Sequence, residues 1–332
     1  MLKQDNFKKT LIQRLWLILV ACFCCIVLNA QDLNDLDSLL IDRNIENYSI
    51  RIFANYKDNR FRVQNENARV RFVPNNRNGL GVGFANEKMI VDVAFNIRGR
   101  NKEETTRFDL QGMTIVNERH FVNVYAQTYK GFRSKNNVDA PTIFINDLRS
   151  VSLGFNYLRT LDDIAFSYAL LKAGLDKDEH KRVFITAGLG AFGSFDYFST
   201  QPGILSETTA AFFNERANIR RYQAVSIGVL AGVVSYFKLP ENITATINVM
   251  PGLGLMNKKI TLPNATYRPS NPLLYKLDFH AGLNYSLNQY YVSLTYSNGL
   301  YATDFDFGNK YRLNLTNAKL AIGYRFKTKK KR

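Results

Sequence analysis

Tyr275-Lys276-Leu277-Asp278-Phe279-His280-Ala281-Gly282-Leu283-Asn284-Tyr285-Ser286-Leu287 alternates without a break. Every odd-numbered residue is apolar and every even-numbered one is polar or glycine. Successive side chains of an extended chain point to opposite faces, so this stretch is a strand with one apolar and one polar face. After a short turn at Asn288 the pattern resumes. Tyr290, Val292, Leu294 and Tyr296 then oppose Ser293, Thr295 and Ser297. Two such segments joined this tightly predict an antiparallel hairpin.

The same alternation spreads outward from this hairpin. Ile243, Ala245, Ile247 and Val249 face away from Thr244, Thr246 and Asn248. Before the Leu239-Pro240 turn, Val225, Ile227, Val229 and Val233 oppose Ser226, Gly228 and Gly232. Comparable segments occur near 48–55, 68–74, 78–86, 88–98, 106–116, 119–130, 150–158, 161–171, 182–199 and 315–327. Most reach the roughly 9–11 residues that a tilted strand needs to cross a bilayer. Strands of a soluble β-sandwich, the competing architecture, are shorter, about 5–6 residues. The mean hydropathy of −0.21 excludes a helical membrane protein but not a barrel, whose strands are apolar only at alternate positions. The expected fold is all-β, a transmembrane antiparallel β-barrel of twelve or fourteen strands, with twelve preferred. Aromatics at segment ends, such as Tyr222, Tyr236 and Phe237, suit interfacial girdles.

The N-terminus reads as a secretory signal. Lys3, Lys8, Lys9 and Arg14 precede a short apolar run from Leu15 to Leu28 that ends near Ala30. All three cysteines (Cys22, Cys24 and Cys25) fall within it, so the mature chain is expected to carry no thiol, disulfide or thiolate metal site. Leu19-Val20-Ala21-Cys22 also resembles a lipoprotein-processing box, but the apolar run continues past Cys22. The expected organisation is a signal peptide over 1–30, a periplasmic lead-in over 31–47, a barrel over 48–327 and a basic tail over 328–332. Without residues 1–30 the formal charge falls from +16 to +13. In an exported barrel, that basicity points to anionic lipid phosphates rather than nucleic acid. Outer-membrane lipids, lipopolysaccharide and the barrel assembly machinery are the expected partners, in the cell envelope of a Gram-negative bacterium. The last strand supports this location: Ala318, Leu320, Ile322, Tyr324 and Phe326 alternate with Lys319, Ala321, Gly323 and Arg325. With both termini periplasmic, the turns at Leu239-Pro240 and Asn288 are periplasmic, and the connections near 200–220, 257–274 and 300–314 lie outside. The stretch 132–149 breaks this parity unless Thr142 to Ile145 forms an extra strand.

Several segments together resemble an uncharacterised, Bacteroidota-type outer-membrane barrel family, a domain of unknown function. They are Asn78-Gly79-Leu80-Gly81-Val82-Gly83-Phe84, Phe108-Asp109-Leu110-Gln111, Gln127-Thr128-Tyr129-Lys130-Gly131-Phe132, Ser152-Leu153-Gly154-Phe155-Asn156-Tyr157 and Gly193-Ser194-Phe195. The resemblance covers most of residues 45–327. It implies a barrel-like membrane protein and supplies no reaction or catalytic residue.

Little in the chain points to chemistry. His120, His180 and His280 lack metal-ligand spacing, and no cofactor is expected. Tyr296-Ser297-Asn298 resembles the Ser-Asn part of a barrel lipid hydrolase, but the residue two before the serine is Thr295, not histidine. His280 replaces that missing base only if it lies on a neighbouring strand at matching height. Gly79, Gly81 and Gly83 share one face, where a strand bends or another group packs closely. Assigning the apolar faces to lipid leaves Arg51, Arg69, Arg71, Arg98, Arg107, Lys276, Lys319 and Arg325 lumen-facing. Asp92, Asp109, Asp196 and Asp278 join them, a positive excess. The expected function is a non-enzymatic outer-membrane barrel, either a small pore or a structural and binding barrel. The alternative is a membrane-embedded lipid-modifying enzyme, an acyl hydrolase or deacylase.

Overall fold

The computed structural model describes residues 45–86, 89–97, 103–117, 119–162 and 183–329. The expected signal peptide, nearly all of the lead-in and the end of the basic tail lie outside these residues, as does most of the segment 161–171.

Within them the chain forms β1 (Ile45–Gln64), β2 (Arg69–Val73), β3 (Asn78–Asn86), β4 (Met89–Asn96), β5 (Thr106–Asn117), β6 (His120–Asn136) and β7 (Ile143–Thr160). Then follow β8 (Val183–Ser199), β9 (Arg221–Leu239), β10 (Ile243–Thr261), β11 (Thr266–Tyr267), β12 (Leu273–Leu287), β13 (Tyr290–Asp304) and β14 (Lys310–Lys329). Between β8 and β9, one helical turn (Glu207–Ala210) is capped by the Ser206 hydroxyl, and a 3-10 turn spans Glu215–Ala217. All ladders are antiparallel.

The sheet closes on itself because β14 pairs with β1 and β9 with β10. The circuit through β2 is a barrel of ten strands, with β3, β4, β5 and β11 outside that ring. The chain β3–β4–β5 also links β1 to β6, beside β2. The ladders divide by height. β1 pairs with β3 through Tyr48–Tyr56 and with β2 through Phe61–Gln64. Likewise β6 pairs with β5 through His120–Lys130 and with β2 through Asn136–Arg133. The twelve or fourteen strands expected from the sequence therefore do not reduce to one number. The end that carries β2 is closed by the ten-strand ring, and the β3–β5 insert widens the end that carries the termini.

Several strands run longer than the alternation alone suggested, and this removes the parity problem. β7 begins at Ile143, so Thr142 to Ile145 is no extra strand, and the β6–β7 connection is short and lies far from the termini. A bulge in β6 hides this from the sequence. Gly131 adopts φ 88°, in the left-handed region that suits glycine, and the register with β7 shifts between Lys130 and Phe132. Tyr129 and Phe132, three residues apart, both end fully buried.

The exterior carries an apolar belt. Ile227 and Val229 on β9, Ile247 and Leu253 on β10 and Leu320 and Ile322 on β14 are each about half or more exposed. On β10 the belt runs from Ile243 to Leu255. That is roughly 40 Å of strand, or about 28 Å of height at the ~45° tilt usual for such strands. An apolar patch this large, costing about 25 cal/mol per Å² in water, is not stable against solvent and matches a bilayer interior. Among the described residues, no helix is long and apolar enough to cross a membrane.

Candidate functional site

The barrel interior changes character along its axis. At the end away from the termini it is apolar and packed solid. Phe61 of β1 stacks on Phe198 of β8 at 4.7 Å, and Tyr222 of β9 lies 5.0 Å from Tyr311 of β14. Each pair comes from strands four steps apart round the ring, so the rings meet across the lumen. Phe305 stacks on Tyr311 at 5.0 Å, and Ile204, Ala217 and Ile219 of the β8–β9 connection are buried in the same cluster. Lys258 is tied beside this cluster by donation to Asn271 O at 2.6 Å, Thr303 Oγ1 at 2.8 Å and Asp304 O at 2.6 Å.

Nearer the termini the lumen is polar and held by two ionic networks. Asp92 of β4 is fully buried between Arg51 of β1 and Lys319 of β14. Arg51 Nε donates to Asp92 Oδ1 at 3.1 Å, and Lys319 Nζ donates to Asp92 Oδ2. Gly83, opposite Arg51 and Asp92 on the ladders, leaves the space for this pair; a Cβ there would lie 2.6 Å from Arg51 Nε. The inward glycines of β3 thus serve close packing. In the second network, Lys276 Nζ donates to Asp278 Oδ2 and, at 2.6 Å, to Asn156 Oδ1 on the far wall. Asn156 Nδ2 also donates to Asp278 Oδ2 at 3.0 Å. A bond of 3.2 Å between the Tyr125 and Tyr301 hydroxyls spans the same level. Asp196 is separately buried and accepts from Ser194 Oγ at 3.2 Å.

Of the charges expected in the lumen, Arg51, Asp92, Arg107, Asp196, Lys276, Asp278 and Lys319 are buried in the interior. Arg107 donates to Arg77 O at 3.0 Å and to Asn55 Oδ1 at 3.4 Å. Arg325 is half-buried at the terminal end, 5.7 Å from the Tyr291 ring. Arg98 and the side chain of Asp109 lie outside the described residues. Arg69 and Arg71 must be corrected: both are exposed on the exterior. Alternation with an apolar exterior places Val70 and Phe72 toward lipid. At the height of β2 the interior is itself apolar, so Val70 and Phe72 turn inward and are fully buried. Lys57 and Lys258 are buried as well, on the parts of β1 and β10 that run past the alternating segments of the sequence.

A polar chamber of about 100 Å³ adjoins the second network, bordered by Asn59, Gln127, Asn156, Asp278, His280 and Ser297. Asn59 Nδ2 donates to Gln127 Oε1 across it at 3.1 Å. His280 and Ser297 are direct ladder partners on β12 and β13. The neighbouring strand at matching height, the condition for His280 to act as base, is therefore met in register. Ser297 makes no side-chain hydrogen bond among the described residues, and the pair borders this chamber. Among the described residues, no cluster of His, Cys, Asp and Glu has the geometry of a metal site.

The outer membrane protease OmpT from Escherichia coli is similar in fold, with 11% identity, 87% of this chain and 99% of that chain covered, and a TM-score of 0.37. The beta domain of the Bordetella autotransporter BrkA gives 10% identity, 85% and 99% coverage, and a TM-score of 0.34. The CymD monoaromatic hydrocarbon channel gives 7% identity, 83% and 88% coverage, and a TM-score of 0.30. No curated protein matches the chain in sequence. A family model matches residues 35–326, nearly the whole chain, and by that match the chain belongs to the domain of unknown function family DUF4421.

Proposed function

We propose that this protein is a sealed outer-membrane barrel with a structural or binding role, exported by a cleaved signal in a Gram-negative bacterium of the Bacteroidota type, and that it does not conduct. The observation that carries the reading is the contact of Phe61 with Phe198 across the lumen at 4.7 Å, in a barrel whose exterior is an apolar belt. A pore needs a continuous aqueous path, and stacked rings from opposite walls leave none. Below them the long cations are tied to carboxylates and amides, so they fill the interior rather than line a channel.

The test is reconstitution in planar bilayers. The native barrel should show no conductance steps, whereas Phe61→Ala/Phe198→Ala/Tyr311→Ala should leak and, given the excess of inward cations, prefer anions. Regular steps from the native protein would overturn the proposal.

A second reading is favoured by one observation, the register of His280 with Ser297. A serine activated by a histidine base on the next strand could hydrolyse an acyl ester. The chamber's volume of about 100 Å³ weighs against an intact lipid as substrate. Acyl release from labelled phospholipid, abolished by Ser297→Ala, would favour this reading over the first.

A further inference from the structure

Four cations stand side by side on the exterior at the end away from the termini. Lys135 of β6 is the ladder partner of Arg71 on β2, Arg71 of Arg62 on β1, and Arg62 of Arg312 on β14. All four are on the outward face, with Arg62 half-buried and the others exposed. Like charges directly opposite on neighbouring strands repel, and here three such pairs follow in succession. No acid within the described residues relieves them. Asp58, on the same outward side of β1, lies 3.4 Å from Arg60 and 3.8 Å from Arg77 instead. Among the described residues, none of the four cations makes a salt bridge.

The row also adjoins apolar surface. A groove of about 350 Å³ is bordered by Arg62, Arg71 and Arg312 together with Tyr275, Leu277 and Leu300. Arg312 is the partner of Ala302, and one step toward the termini Asn314 is the partner of Leu300, itself the partner of Leu277. Positive charge thus sits at one edge of the lipid-facing belt, with exposed leucines directly beneath. That is the polarity of a phosphorylated acyl lipid: head against the arginines, chains along the leucines. Four strands at roughly 4.8 Å spacing spread the row over about 14 Å, more than a single phosphate can engage.

We propose that this row is a binding site for an outer-leaflet lipid that carries more than one phosphate, seated with its acyl chains over Leu277 and Leu300. The inference rests on the membrane placement given above.

The test uses the full chain refolded in an uncharged detergent, with heat-modifiable gel mobility reporting the fold of every sample. Binding is then measured by native mass spectrometry with bis-phosphoryl lipid A, mono-phosphoryl lipid A and phosphatidylglycerol, each with and without inorganic phosphate. Bis-phosphoryl lipid A should bind tightest, and inorganic phosphate should not displace it. Arg62→Ala/Arg71→Ala/Arg312→Ala should weaken it by about tenfold or more, as expected for lost charge-assisted hydrogen bonds. Arg149→Ala/Arg221→Ala/Lys259→Ala removes the same charge from exposed exterior positions on other strands and should change binding less than about twofold. Equal binding by the first variant, equal loss in the second, or displacement by inorganic phosphate would overturn the site. Equal affinity for phosphatidylglycerol would overturn the requirement for several phosphates. Failure of the native chain to fold in detergent would instead count against the membrane placement.

Discussion

Replacing Asp92 by asparagine keeps the shape of the side chain and removes the charge that Arg51 and Lys319 share. Both cations are almost completely buried, at 1% and 2% exposure. Breaking a buried pair by removing one partner costs about 3–5 kcal/mol, because the desolvated charge left behind has lost its counterion. Two cations are affected here, which pushes toward the upper end. Against that, Lys319 Nζ stays 4.1 Å from the Phe53 ring, a contact worth about 0.5–2 kcal/mol, and the amide oxygen still accepts one hydrogen bond. The expected net loss is about 3 kcal/mol. Urea unfolding in micelles, followed by far-UV circular dichroism and heat-modifiable mobility, measures it. Tryptophan fluorescence does not serve, since the single tryptophan, Trp16, precedes the barrel. Lys319→Met should partly rescue Asp92→Asn, with a coupling of about 1–3 kcal/mol in the double-mutant cycle. A loss below about 1 kcal/mol, or strict additivity, would refute the reasoning that this carboxylate neutralises the two cations together.

Ile247 faces the belt on β10, so Ile247→Arg should cost about 2–4 kcal/mol and lower the heat-modifiable folded fraction. Thr246→Arg should be at least as damaging, because Thr246 is fully buried and bonded to Ser235 O and Asn248; tolerance of it would show that the lumen is open at that height. At Gly131, φ 88° and Phe144 Cζ lying 2.7 Å from an added Cβ make Gly131→Ala costly, by about 1–3 kcal/mol. Urea unfolding of that variant measures the cost, and no change in midpoint would show that the β6 bulge does not depend on glycine.

The barrel was legible because alternation survives wherever the outside is lipid and the inside is polar, as from Tyr275 to Leu287. It failed where that contrast disappears. At the level of β2 the interior is apolar and the exterior carries arginines, so the same alternation pointed Arg69 and Arg71 the wrong way. In β6 the extra residue at Gly131 shifts parity in mid-strand, and no period-2 count can register that. Lys57 and Lys258 were lost for a related reason: β1 and β10 continue past the belt, where outward residues such as Arg60, Arg62 and Lys259 stop looking lipid-facing. Pairing across the lumen was not legible at all. Asn156 meets Lys276 only through closure of the sheet, which a linear pattern does not encode, whereas Arg51 reaches Asp92 over Gly83 along consecutive ladders.

The two kinds of interior follow from how the sheet closes. A barrel's diameter grows with strand number, and eight strands already leave just enough room for side chains to fill it. With ten strands in the ring through β2, the gap is one that large rings bridge from opposite walls, as Phe61 and Phe198 do. Where β3, β4 and β5 widen the wall, apolar rings would fall short and leave a void, and a dry void forfeits packing. Long side chains whose polar ends find partners part-way reach further. Lys276 meets Asn156 of the far wall there, while Arg51 and Lys319 share Asp92 along one wall, over Gly83. Apolar packing at the narrow end and paired charge at the wide end thus answer one geometric cause. Shortening the β4–β5 hairpin should disturb the Asp92 network first and the aromatic seal last.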